Sequence, residues 1–322
     1  MDSAALQHAV VIGSGMMGPG IAYSLAAAGL EVKLYGRTGQ SAGQGGLRFE
    51  RLLALLLEAG CISAEKNRAL KSLVSVTSRL EEAVADADLV IESIPEDLLL
   101  KQELFGRLEA CCPASAILTS NTSGLPATRL AEKLQYPERF AVTHFWNPPH
   151  LMPLVEIVRG EKTAVSTAET LVTLMKRAGK KPVTVHRDMP GQLGNRLLHA
   201  LTREAIYLIE QGVASVEDVD IAIKNGLGRR FPVYGAMEHA DVVGLDMVLA
   251  IQEYLCSSLC NADEPARILR QKAADGDLGR KSGKGFYDWS KRDAQAVIDR
   301  RDNFLLELLK VEQDAGSESL DA

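Results

Sequence analysis

Two residues twelve positions apart have the types needed to move a proton. His144 ends a short apolar run, Phe140-Ala141-Val142, and Glu156 lies inside another, formed by Leu154, Val155, Ile157 and Val158. The segment between them, Trp146-Asn147-Pro148-Pro149, has the composition of a turn. Two neighbouring strands joined there could bring imidazole and carboxylate together. A carboxylate on one ring nitrogen fixes the tautomer and stabilises the imidazolium, which suits the pair to acid–base work near neutral pH. The alternative is a core histidine beside an unrelated strand glutamate. For a lone pair that alternative would be the default.

A second feature shifts the balance. Gly13-Ser14-Gly15-Met16-Met17-Gly18 follows the apolar run Ala9–Ile12 and precedes a helical stretch from Ile21 to Ala28. Between a strand and a helix, G-x-G-x-x-G binds a dinucleotide. Its glycines allow the turn, the approach of the pyrophosphate and close helix packing, and the helix N-terminus offers free N–H groups. The next run, Val32–Tyr35, should end in the acidic residue that holds the adenine ribose of NAD. That place is taken by Gly36, followed by Arg37 and Thr38. A missing carboxylate with an adjacent arginine tips the expectation toward NADP; the alternative is NAD, with Arg37 over the adenine.

Further polar residues follow apolar runs. Glu92-Ser93-Ile94-Pro95-Glu96 follows one, Ser120-Asn121-Thr122-Ser123-Gly124 the next, and His144 and Asn147 a third. Strands are expected at 9–12, 32–35, 74–77, 89–94 and 116–119, alternating with helices. That rhythm predicts an α/β fold, a Rossmann-type doubly wound sheet whose ligand crevice lies at the strand C-termini. Ser41–Gly46 reads as a flexible joint leading to a helical arm over about 47–72 that projects from the sheet. Between the strands at 89–94 and 116–119 a helix carries Lys101, Glu103 and Arg107 on polar faces. From Asp188-Met189-Pro190-Gly191 onward the texture is helical, with helices expected at 193–210, 216–224, 242–259 and 264–274. The expected division is a dinucleotide-binding domain over 1–187, an all-helical domain over 188–290, and a helix with a disordered tail over 291–322.

Composition narrows the partners. The chain has 322 residues, enough for about two domains. Its net charge is −6, from 36 Lys and Arg against 42 Asp and Glu, with no basic stripe, so nucleic acid is not expected. No apolar run approaches the roughly 20 residues of a membrane helix. With no leader pattern and five unpatterned cysteines, the expectation is a soluble cytoplasmic protein with reduced thiols. No metal is implied.

Taken in order, these motifs resemble the 3-hydroxyacyl-CoA dehydrogenases over roughly residues 8 to 290. The shared segments are the glycine loop, Glu92–Glu96, Ser120–Ser123, His144–Pro148, Leu154–Glu156, Asp188–Gly191 with Asn195-Arg196, and Gly283–Tyr287. The resemblance implies NAD(P)-dependent oxidation of a 3-hydroxyl, with His144 as general base and Glu156 orienting it. It further implies that Asn195 and Ser123 contact the substrate. Gly13, Gly15, Gly18, Glu96, Lys101, Asn147 and Lys281 would contact the cofactor, together with Met16, Met17, Gly36, Arg37, Thr38, Ser93, Ile94 and Asn121 around them. It implies a homodimer through the helical domain. Three departures bear on substrate: Trp146 stands for a usual phenylalanine, Gly36 for the cofactor aspartate, and the 226–235 loop carries Arg229-Arg230. That loop is more like members acting on small carboxylates, such as L-gulonate 3-dehydrogenase. Either arginine could hold a substrate carboxylate, or the pair could be a solvated surface feature. An acyl-CoA substrate is the first expectation. A small 3-hydroxycarboxylate or hydroxymethyl-aromatic acid is the second, and a non-catalytic, crystallin-like dinucleotide binder the third.

Overall fold

The computed structural model describes residues 6–315. In chain order the elements begin with β1 (His8–Ile12), α1 (Gly18–Ala27), β2 (Glu31–Tyr35), α2 (Gly39–Glu58), α3 (Ala64–Leu73) and β3 (Val74–Thr77). They continue with α4 (Leu80–Val84), β4 (Leu89–Glu92), α5 (Leu98–Cys111), β5 (Ile117–Ser120), α6 (Ala127–Leu130), β6 (Phe140–Phe145), β7 (Leu154–Val158), α7 (Val165–Arg177) and β8 (Lys181–Val185). The helical remainder is α8 (Gly194–Glu210), α9 (Val216–Asn225), α10 (Leu227–Arg230), α11 (Ala236–Val243), α12 (Leu245–Leu255), α13 (Arg267–Ala274) and α14 (Ala294–Ala315).

The strands form one sheet in the order β3-β2-β1-β4-β5-β6-β7-β8. Neighbours pair in parallel except β6 with β7, which are antiparallel. The expected doubly wound sheet is therefore present, with one reversal. Period-two alternation sends Val10 and Ile12 to one face and Ala9 and Val11 to the other, and each set joins a separate buried cluster. Helices cover both faces, so the central strands β4 and β5 are buried along their whole length. Every residue of β6 is buried.

The second helical stretch differs from its expectation. Residues 41–46 are not a joint but the first turns of α2. Thr38 accepts from the Ser41 amide while the Ser41 hydroxyl accepts from the Thr38 amide, a reciprocal cap that starts the helix. The glycines serve proximity: a Cβ at Gly45 would press on Ser14 and Leu34, and one at Gly46 on Val76. Nor does the pair of helices project as an arm. Phe49, Leu52, Leu53 and Leu56 of α2 and Leu70 of α3 are buried in the same cluster as α1. Leu306 of α14 joins that cluster, with Leu305 and Leu309 packed against it.

The chain falls into two compact units, one running to Asn195 and resuming at Asp299, the other Arg196–Ile298. The first unit's first part thus ends at Asn195, and α14 clusters with the sheet from Asp299 on. In the second unit the helix expected over 242–259 breaks at Gly244, whose φ of 104° ends α11 and starts α12. Val219 is that unit's one buried apolar side chain among the described residues. Phe231, Val233, Met237, Val242, Leu245 and Leu249 are all exposed. The disordered tail expected over 314–322 falls, from 316 on, outside the described residues. No helix among the described residues is long and apolar enough to cross a membrane.

Candidate active site

The antiparallel register of β6 and β7 pairs His144 directly with Glu156. Directly opposed residues project from the same face of the sheet, so the two side chains must meet. His144 Nδ1 lies 2.6 Å from Glu156 Oε2. The carboxylate is fully buried and the imidazole 6% exposed. Three more donors complete the carboxylate's shell. The Trp146 indole N–H donates to Oε2 at 3.1 Å, and the Leu193 and Gly194 amides donate to Oε1 at 2.8 Å each. Burial pushes the Glu156 carboxyl up, but the His144 hydrogen bond, the Gly194 amide, the Trp146 indole and the His144 charge outweigh it and hold it at about 2. An ionised carboxylate only accepts, so Nδ1 carries the hydrogen, and Nε2 is the nitrogen left for chemistry.

β1, β2, β4, β5 and β6 all run parallel, so their C-termini share one edge of the sheet. At that edge lie the glycine loop, the residues after β4 and β5, and the end of β6 with Asn147, as the sequence predicts. A Cβ on Gly13 would run into the Ser93 carbonyl, and one on Gly18 into the Gly13 carbonyl. One on Gly15 would meet nothing within 4 Å, so this is the open side of the loop. The first turn of α1 has no side-chain cap, which leaves its amides available. Open glycine, uncapped helix and close packing fit a pyrophosphate. Met16, beside Gly15, is largely exposed.

Gly36 has a steric explanation. A Cβ there would collide with the backbone of Ser41 and Ala42 in the first turn of α2. The missing carboxylate thus follows from where that helix starts, and does not by itself signal NADP. Arg37 and Thr38 are exposed beside it.

Lys101 is the largest surprise. Expected on a polar helix face, it is 1% exposed and pairs with Glu92 at 2.6 Å and Glu96 at 3.4 Å. Glu92 also accepts from the Ile94 amide at 2.6 Å and the Ser120 hydroxyl at 2.5 Å. Glu96 accepts from the Thr122 hydroxyl and from the Ser123 and Gly124 amides, which pins the loop after β5. Asn121 spans two strand ends: its amide donates to Ser93 Oγ at 3.3 Å and its oxygen accepts from the Phe145 amide at 2.8 Å. Asn195 Nδ2 donates to the Ser123 carbonyl at 2.9 Å, so these two expected substrate contacts are joined. Lys281, Arg229 and Arg230 belong to the 196–298 unit, where all three are exposed.

The sequence reading missed Glu92 and Trp146 as partners, and the Leu193 and Gly194 amides altogether. A carboxylate ending an otherwise apolar strand was the available signal for Glu92. Backbone donors carry no side-chain signal at all.

Comparison with known proteins agrees with this layout. The family model described as 3-hydroxyacyl-CoA dehydrogenase, NAD binding domain, matches residues 8–189, and that for the C-terminal domain matches 191–289. A "Probable 3-hydroxybutyryl-CoA dehydrogenase" of Bacillus subtilis is 39% identical over 288 residues, 89% of this chain and 99% of that protein. A 5-formyl-3-hydroxy-2-methylpyridine 4-carboxylate 5-dehydrogenase of Mesorhizobium japonicum is 34% identical over 310 residues, 95% of this chain and 98% of the other. A crystal structure of an enzyme described as a dehydrogenase of this pyridine compound, an NAD+-dependent dismutase, superposes with a TM-score of 0.88 at 33% identity, covering 95% of this chain and 98% of that one.

Proposed function

The chain belongs to the 3-hydroxyacyl-CoA dehydrogenase family, NAD-dependent oxidoreductases acting on CH–OH groups, and from that premise we propose that it oxidises the hydroxyl of a small acid bearing a free carboxylate. A 3-hydroxycarboxylate or a hydroxymethyl-aromatic acid has this chemistry. His144 takes the hydroxyl proton on Nε2, and Glu156 on Nδ1 stabilises the imidazolium that results. The nicotinamide, when bound, accepts the hydride. Asn195 and Ser123 position the substrate oxygen.

The observation that carries the choice of substrate is α14. Alignment with the pyridine-carboxylate enzyme extends over 95% of the chain, well past the family model's end at residue 289. In this chain the extension packs Leu306 into the α2–α3 cluster. An acyl-CoA reading would offer basic residues of α2 and α3 (Arg48, Arg51, Lys66, Arg68 and Lys71) to CoA phosphates, yet Arg48 donates to the Ser14 carbonyl and Lys71 pairs with Glu50. A second reading, an acyl-CoA substrate, is favoured by the 39% identity to the B. subtilis protein. The test follows nicotinamide absorbance with acetoacetyl-CoA, with 3-hydroxybutyrate and with a hydroxymethyl-pyridine carboxylate in parallel. Turnover of a free acid but not the thioester is expected; turnover of acetoacetyl-CoA alone would establish the second reading.

For the cofactor we favour NAD, with Arg37 as the residue able to select a 2′-phosphate. Comparing NADH with NADPH in Arg37→Ala tests this. A wild-type preference for NADPH that the variant loses would restore the NADP reading. We also propose a homodimer through the 196–298 unit, because its exposed Phe231, Val233, Met237 and Leu245 need covering. A monomer by light scattering at micromolar concentration would refute it.

A further inference from the structure

Four hydrogen bonds converge on Glu156, and only two come from side chains: His144 and Trp146. Both go to the same oxygen, Oε2, at 2.6 and 3.1 Å. We propose that Trp146 is a positioning residue that sets the proton affinity of His144, its indole N–H sharing the Oε2 charge that would otherwise act on the imidazole alone. This rests on the reading of His144 as the proton-handling residue, but on no choice of substrate.

The indole is held in place for this. It is half-buried, its centroid lies 6.0 Å from that of His144 at an interplanar angle of 49°, and a Cβ on Gly194 would meet its Cζ2 at 2.5 Å. The glycine that opens α8 therefore leaves room for the ring while its own amide binds Oε1 of the same carboxylate. Each hydrogen bond to a carboxylate stabilises the anion and withdraws charge from its other partners. With the indole donor gone, Oε2 concentrates its charge on His144 Nδ1. The imidazolium is then better stabilised and keeps its proton to higher pH. The effect on catalysis is directional: a stickier imidazolium is a poorer acid in reduction and needs higher pH to act as a base in oxidation.

Few other charges compete. Among the described residues, the ion-pair partner of Glu156 is His144. The flanking strands bring Ser120 beside β6 and Val183 beside Glu156, neither charged. α7, packed on β6 and β7, has Glu169, Lys176 and Arg177 exposed on its far side. Lys180, before β8, is tied to the Pro149 and Met152 carbonyls at 2.5 and 3.1 Å. Leu193, just before α8, and Gly194, its first residue, bring their amides to Oε1, and Arg196 follows in the first turn of that helix.

The experiment is a histidine-selective ¹³C NMR titration of the full chain, with the His144 signal assigned by its absence in His144→Gln. The chain has 6 His and 2 Trp, so the spectrum is simple and tryptophan analogues can be introduced site by site. Trp146→Phe removes the donor and keeps an aromatic ring. In a Trp289→Phe background, replacing Trp146 with benzothienylalanine keeps the indole shape but has no N–H. In both, the His144 midpoint should rise by about 0.5–1 pH unit, the range expected for losing one of several bonds to a charged partner. An unchanged or lowered midpoint in the analogue overturns the proposal. So does a shift in Trp146→Phe alone, which would mark a packing effect. Loss of turnover on every acid tested, with the midpoint shift intact, would refute the substrate reading and leave this one standing.

Discussion

Replacing Glu156 with glutamine tests the site at its most constrained point. Glu156 is fully buried and its two oxygens accept four hydrogen bonds, two each. Glutamine keeps the shape but turns one acceptor into an NH2. Whichever way the amide faces, one pair of donors confronts another donor: either the Leu193 and Gly194 amides or the His144 and Trp146 side chains. A buried group left without its partner costs about 1–3 kcal/mol, so two such losses, partly relaxed, should lower stability by about 2–4 kcal/mol. The catalytic effect is separate. The 2.6 Å bond from His144 goes to an ionised acceptor, and losing that charge removes about 1.5–3 kcal/mol of imidazolium stabilisation. At about 1.4 kcal/mol per decade this is roughly a 10- to 150-fold fall in turnover. Urea unfolding gives the first quantity, and steady-state rates under conditions where the variant is fully folded give the second. Turnover within threefold of wild type would refute the role of the carboxylate, and a stability loss below about 0.5 kcal/mol would refute the four-donor count.

Other perturbations separate chemistry from architecture. His144→Gln should reduce turnover by roughly 10²- to 10⁴-fold while leaving NADH affinity by fluorescence titration nearly unchanged; near-normal turnover would remove His144 from the mechanism. Lys101→Met strands the buried Glu92 carboxylate and should cost about 3–5 kcal/mol in urea unfolding. If Lys101 chiefly binds cofactor, stability would instead hold and NADH affinity would fall. His150 is half-buried, its buried Nδ1 has no hydrogen-bond partner, and desolvation, with Lys180 and Arg301 nearby, lowers its pKa from 6.5 to about 4. Between those values the unfolded chain binds a proton that the folded one refuses, so stability falls as pH drops from 6.5 toward 4, by up to about 3 kcal/mol. His150→Phe should flatten that acid slope in unfolding curves collected from pH 7 to 4; an unchanged slope would assign the loss to other groups.

Much of this protein is written locally. A glycine loop between an apolar run and a helix can be read because Gly13 has a φ of 121° and a Cβ on Gly18 would strike the Gly13 carbonyl, constraints that act within the loop itself. Strand positions are legible because a sheet covered on both faces needs short, mostly apolar runs, such as Ala9–Ile12 in β1, Leu89–Ile91 in β4 and Phe140–Val142 in β6. His144 and Glu156 could be paired in advance because a short turn joins their strands, which makes antiparallel neighbours the simplest topology. Where long-range packing decides, the sequence was silent or misleading. The glycine-rich 41–46 stretch reads as a flexible joint but sits in α2, where the close approach of Ser14 to Gly45 and of Val76 to Gly46 outweighs the low helix propensity of those two glycines. Lys101 reads as a surface residue, since nothing in its own helix announces that Glu92, on a neighbouring strand, will neutralise it in the core. Trp146 reads only as a replacement for a usual phenylalanine until the β6–β7 register and the start of α8 aim its N–H at Glu156. Local sequence specifies which elements form, because propensity and periodicity act over a few bonds. Which donor meets which acceptor depends on register and on distant chain segments, and only the tertiary structure decides it.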